Sequence, residues 1–362
     1  MSEQRRLNLA LQGGGAHGAF TWGVLDTLLA DERIVIDGIC GSSAGGMNAT
    51  VLASGYLHGG RAGARAALHD FWAAVSRIGN LDGLGALLPP ALTTFAQAMS
   101  YSAFTSYARL VSPYLANPFN LNPLRSILEQ AVDFAALRQA SPIRLFVAAT
   151  NVRSGQLRVF HNHEISPEAV LASACLPFIF QAVAVDGEHY WDGGYLGNPP
   201  LFPLCYHTDS SDILVVHVNP IRREELPLSG PAIADRINEI AFNSSLLREF
   251  RAMALVARLI DAGWIKEEHR GRLRRMYLHS VRADSALETY GEASKFHLAW
   301  PFLTTLRDRG RAAAAAWLSR NADQIGRCST VDLHTEFLDP HTRLWETDIA
   351  LDQTTELSGG LQ

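Results

Sequence analysis

Ser43 lies in Gly41-Ser42-Ser43-Ala44-Gly45, a Gly-x-Ser-x-Gly pattern. Such glycines let a strand turn sharply into a helix, so that the serine hydroxyl stands clear of the backbone beside the amides of a helix N-terminus. A serine alcohol is a poor nucleophile at neutral pH. It needs a base to take its proton and donors to hold the oxyanion that forms on attack. The run Gly13-Gly14-Gly15-Ala16-His17-Gly18 offers backbone amides for the second task, because residues without Cβ permit close approach and positive φ. A glycine run could equally cradle a nucleotide phosphate, but the dinucleotide spacing is met only loosely and no Walker lysine follows Gly18.

The base is harder to place. An ordinary triad asks for a histidine after the acid, and His207, His217, His269, His279, His297, His334 and His341 are available downstream. None has a supporting loop signature, and His217, inside a strand run, reads as a satisfied core residue. Asp186 and Asp192 are two of the aspartates that stand before glycines. Asp186-Gly187 has the chemistry of a hairpin turn, whereas Asp192-Gly193-Gly194 allows close approach to another chain segment. His161-Asn162-His163 has a metal-like spacing but reads as a surface turn, and no calcium-loop pattern occurs, so neither a metal nor a cofactor is expected.

The elements that must position these residues alternate. Leu7, Leu9 and Leu11 mark a strand, the glycine run follows, and Phe20, Val24, Leu25, Leu28 and Leu29 mark a helix. Ile34 to Cys40 is a second strand, ending at the serine turn, and a helix begins near Ala44 with Met47, Val51 and Leu52 buried. Strand, loop, helix, strand, turn, helix predicts a mostly parallel sheet with helices on its faces and ligands at the carboxyl ends of its strands. Ser166-Pro167-Glu168 has the chemistry of a helix start. Residues 1–227 are expected to form this α/β core, with 83–123, free of charge between Asp82 and Arg109, as a lid or a wall of an acyl groove. From 228 to 345 the pattern turns helical, with Ile233, Ile237, Ile240 and then Phe250, Met253, Ala257 and Ile260 at helical steps. Residues 346–362 are expected to be a mobile tail.

Composition narrows the function classes. In 362 residues, 48% are hydrophobic and the formal charge is −5, which suits a globular protein and gives no basis for nucleic-acid binding. Cys40, Cys175, Cys205 and Cys328 are scattered without Cys-x-x-Cys spacing, which predicts free thiols and a reducing, cytoplasmic setting. No run of about 20 apolar residues favours a transmembrane helix. Lysine occurs only at Lys266 and Lys295.

Four motifs, Gly13 to Gly18, Gly41 to Gly45, Ala172-Ser173-Ala174-Cys175-Leu176-Pro177-Phe178-Ile179-Phe180 and Asp192-Gly193-Gly194, stand in one order over roughly the first 200 residues. In that order the chain resembles the patatin-like phospholipases. The resemblance implies a three-layer α/β fold and a catalytic dyad without histidine, in which Ser43 is the nucleophile and Asp192 the general base. It also implies Gly13, Gly14 and Gly15 as the oxyanion hole, with Gly18, Gly41, Gly45, Gly193 and Gly194 as supporting motif positions. Family members often carry Arg or Lys where this chain has His17, so a cation there would depend on pH. The expected activity is hydrolysis of fatty-acyl carboxyl esters of phospholipids or lysophospholipids, with peripheral contact to a membrane or lipid surface. An acyltransferase, a neutral-lipid or thioester hydrolase, and a lipid-binding or granule-associated protein with little catalysis stay open, as does a homo-oligomer formed through the helical extension.

Overall fold

The computed structural model describes residues 4–79, 111–269 and 273–338. Its centre is an eight-stranded sheet: β1 Arg5–Leu11, β2 Ile34–Ser42, β3 Arg144–Asn151, β4 Leu157–His161, β5 Val183–Val185, β6 Glu188–Asp192, β7 Asp212–His217 and β8 Tyr277–Arg282. Their order is β5-β6-β3-β2-β1-β7-β8, with β4 also paired to β3. β1, β2, β3, β7 and β8 run parallel, and β4, β5 and β6 add antiparallel pairings at one side. The expected mostly parallel sheet with helices on its faces is therefore present.

β1 is more central than its alternation suggests. Leu7 to Leu11 are all buried, including Asn8, whose Nδ2 donates to the Ser210 carbonyl at 2.9 Å. A strand flanked by parallel neighbours and covered on both faces buries both sets of side chains, so a polar residue there must find a partner.

Helix α1, Gly18–Ala30, follows the glycine loop, and α2, Ala44–Gly79, follows Ser43 with a break at Gly59 and Gly60. Met47, Val51 and Leu52 are buried as expected. Helix α3, Pro167–Ser173, starts at a Ser166 cap whose side chain accepts the Ala169 amide, and it ends at the residue that meets Ser43.

Beyond residue 228 come α4, Gly230–Asp261, then β8, then α5, Trp300–Asn321. The helical region is there, but β8 within it pairs with β7, so residues on both sides of 228 share one sheet. Helix α5 crosses α1 backbone to backbone. A Cβ at Gly23 would collide with the Arg307 carbonyl, and one at Gly310 with the Phe20 carbonyl. Asp26 of α1 binds Arg65 Nε at 2.7 Å and Arg311 Nε at 2.8 Å, tying α2 and α5 to the same point.

The lid expected over 83–123 lies mostly outside the described residues, whose part of it, from 111, holds the short helix Pro113–Ala116. The tail at 346–362 lies wholly outside them. Cys40 and Cys175 are buried, Cys205 half-buried and Cys328 exposed, all as free thiols. Among the described residues no helix is long and apolar enough to cross a membrane, and no group of His, Cys, Asp and Glu is arranged to hold a metal ion.

Candidate active site

Sheet register brings the serine and the aspartate together. Ser42 at the end of β2 pairs with Ala148 of β3, and Asp192 at the end of β6 pairs with Ala149 of the same strand. The two chain segments therefore finish side by side. Ser43 then takes φ of 54°, a left-handed conformation that non-glycine residues rarely adopt. Its amide donates to the Ser173 carbonyl at 3.1 Å and to Ser173 Oγ at 2.9 Å, which holds the strained turn from the end of α3. Gly41 has to be glycine because a Cβ there would lie 2.5 Å from the Gly45 backbone. Gly45 packs in turn on the Leu11 carbonyl of β1, and Gly18 approaches Ala44, so the serine turn is pressed against the loop that follows β1.

Asp192 is 1% exposed. Its Oδ1 accepts the Gly194 amide at 2.7 Å, and its own amide donates to the Cys175 carbonyl at 2.8 Å. Gly193 lies against Ala148 of β3 and Gly194 against the Phe242 ring, positions that no side chain would fit. Burial pushes the Asp192 carboxyl up to about 6, opposed by the Gly194 amide, the nearby Ser43 hydroxyl and the Lys295 charge. Oδ2 is buried without a partner at hydrogen-bond geometry. The Ser43 hydroxyl is thus close enough to act on the Asp192 carboxyl, while Oδ2 has no aligned donor among the described residues.

The glycine loop sits directly over Ser43: a Cβ at Gly13 would be 2.6 Å from Ser43 Cβ. The expected trio of oxyanion donors is reduced, however. The Gly13 amide donates to Asn198 Oδ1 at 2.6 Å and is already engaged, which leaves Gly14 and Gly15. No acceptor for those two amides occurs among the described hydrogen bonds.

Four amide side chains that the motifs do not mark fix this loop. Gln12 Nε2 donates to the Asn198 carbonyl at 3.2 Å and to Asn243 Oδ1 at 3.0 Å, while its Oε1 accepts the amides of Val218 and Asn219, each at 3.0 Å. Asn219 Nδ2 donates to the Gly13 carbonyl at 2.7 Å. Asn198 stands before Pro199-Pro200, and no motif marks it. Asn219 had one available signal, its place just past the carboxyl end of a strand, where such sheets bind ligands.

His17 departs from the expected pH-dependent cation. It is buried, with Nε2 2.7 Å from Ser294 Oγ, and burial together with the charges of Lys295 and Arg223 pushes it down to about 3. The ring is neutral across the physiological range. No described histidine hydrogen-bonds Ser43 or Asp192. His279 is paired with Asp212 Oδ1 at 3.0 Å. His217 is a core residue stacked on Phe337, but neither ring nitrogen has a partner among the described residues, so it is not the satisfied histidine expected. Asp186 is exposed, at φ of 50° in the β5–β6 hairpin turn, and takes no part in the site.

Residues 9–204 match the family model described as Patatin-like phospholipase. Among solved structures, VipD from Legionella pneumophila is similar at 16% identity and a TM-score of 0.35, over 85% of this chain and 67% of that one. The heterodimeric ExoU-SpcU complex of the type III secretion system of Pseudomonas aeruginosa is similar at 18% identity and a TM-score of 0.29, over 89% of this chain and 76% of that one. No curated protein matches the present chain.

Proposed function

This chain belongs to the patatin-like phospholipase family and is a lipid ester hydrolase, and from that premise we propose that it cleaves fatty-acyl esters of phospholipids or lysophospholipids through a Ser43–Asp192 dyad. The observation that carries the reading is the convergence of Ser43, in its strained turn, with a buried aspartate whose carboxyl stands at about 6 and whose neighbour is the Ser43 hydroxyl. A carboxylate with its usual pKa of about 3.9 is a feeble base toward an alcohol, and desolvation corrects that.

In this mechanism Asp192 takes the Ser43 proton as Oγ attacks the ester carbonyl, and the Gly14 and Gly15 amides receive the oxyanion. Collapse of the tetrahedral intermediate breaks the bond to the leaving alcohol, which takes the proton from Asp192. Water, deprotonated by the same carboxylate, then releases the fatty acid from Ser43. Tyr195 and Leu196, just past Asp192, expose apolar surface, which supports a long acyl chain as the occupant. The setting proposed is peripheral, at a lipid surface reached from the cytoplasm.

The test is hydrolysis of a chain-length series of lysophospholipids and monoacylglycerols by the wild-type protein and by Ser43→Ala and Asp192→Asn. We expect fatty-acid release that each substitution lowers by about 1000-fold or more. Transfer of the acyl group to an added lyso-acceptor in preference to water would replace the hydrolase with an acyltransferase. Full activity in Asp192→Asn would end the dyad.

A further inference from the structure

The 3-10 turn Glu292–Phe296, far along the chain from both motifs, is packed onto the glycine loop. The Lys295 carbonyl occupies the space a side chain at Gly15 would need, and Ser294 Oγ meets His17 Nε2 at 2.7 Å. The backbone around Lys295 is thereby registered to the loop that faces Ser43. From there the half-buried lysine side chain reaches Asn219 Oδ1, to which Nζ donates at 2.9 Å. Asn219 is the residue whose other amide atom holds the Gly13 carbonyl. Nζ also lies 5.8 Å from the centroid of Phe242, the ring against which Gly194, and so the Asp192 cap, is packed. The ammonium thus stands between the two halves of the site, touching the partners of each.

A cation placed there costs solvation and weakens the base. Its field does reach the site, because it lowers the pKa of both Asp192 and His17. His17 is neutral, so it brings no charge of its own to this loop.

We propose that Lys295 is a specificity-determining residue of this site, its ammonium receiving an anionic group, phosphate or carboxylate, carried by the substrate beside the scissile ester. The proposal rests on the hydrolase reading above and deepens it. A compact ammonium suits a phosphate monoester or diester oxygen as a point charge. Asn219 and Phe242 hold the amine in place before substrate arrives, which lowers the ordering cost of binding.

The experiment compares Lys295→Met and Lys295→Arg with wild type on two esters of the same acyl chain, a lysophosphatidate and the corresponding monoacylglycerol. The readout is the ratio of their kcat/KM values, which cancels any effect on the dyad itself. We expect Lys295→Met to lower the preference for the anionic ester about 10- to 100-fold, mostly through KM, and Lys295→Arg to restore most of it. Equal loss on both esters would overturn the proposal and move Lys295 into the chemical step, and an unchanged ratio would overturn it outright. Calorimetric binding of the ether-linked lysophosphatidate, against the ether-linked glycerol, makes the same comparison without turnover. Weaker binding of the phosphate-bearing ether alone in Lys295→Met supports the proposal even where the hydrolase reading fails. Unaltered binding of it contradicts the proposal even where that reading stands.

Discussion

Asp192 shows most directly what the site costs the protein. Its carboxyl stands near 3.8 when unfolded and at about 6 in the fold, with desolvation as the main cause. For a group whose folded pKa is raised, the stabilising contribution is complete below the unfolded value and is lost as pH rises through the folded one. At pH 7 the charged, buried carboxylate therefore opposes folding by up to about 3 kcal/mol. Asp192→Asn keeps an acceptor for the Gly194 amide and removes the charge. We expect the variant to be more stable than wild type at pH 7, with the gain gone by pH 4, as read from urea unfolding at the two values. The same ionisation predicts that wild-type kcat/KM climbs with pH through about 6 to a plateau. A stability gain independent of pH would show that the substitution acts by packing rather than by charge. Ser43 and Asp192 were legible because glycines mark both of them. Lys295 was not, since its partner Asn219 is 76 residues away and nothing local distinguishes it.

Helices α1 and α5 make the clearest statement at the scale of elements. Gly23 and Gly310 are small where two backbones touch, and Asp26 joins α1 to arginines of α2 and α5. Alanine in a helix is favoured over glycine by about 1 kcal/mol. A Cβ at Gly310 meets the Phe20 carbonyl, which no rotamer change can relieve. Overpacking of this kind costs about 1–3 kcal/mol, so Gly310→Ala is expected to lower the thermal midpoint despite its better helix propensity. A raised midpoint would mean that the helices part without penalty. In the sequence Gly310 reads only as a weak point in a helix, because its reason lies in another element. Helix α4 divides in the same way. Phe250 is buried, whereas Ile233, Ile237 and Ile240, at the same helical steps, are 44%, 61% and 54% exposed. Periodicity identified the apolar face but not which part of it has something to cover.

In the whole molecule the helical region beyond residue 228 is present, and it also lends the core sheet a strand, β8. The parallel sheet was readable from the strand, loop and helix alternation of the first fifty residues, since that order admits few topologies. β8 was hidden because Tyr277-Leu278-His279-Ser280-Val281-Arg282 is short, half polar and set among helical runs, and only pairing with β7 makes it a strand. With β8 in the sheet, α5 on α1 and Lys295 on the glycine loop, the chain beyond residue 228 is part of the active-site scaffold. The proposed dyad requires β2, β6 and the loop after β1 to meet in the folded chain. Reaction of the intact protein with a fluorophosphonate, followed by mass-spectrometric location of the adduct, tests this directly. The adduct is expected on Ser43 alone, absent in Ser43→Ala, and formed about 100-fold more slowly or worse in Asp192→Asn. An adduct on another residue, or an unchanged labelling rate in Asp192→Asn, would contradict the account.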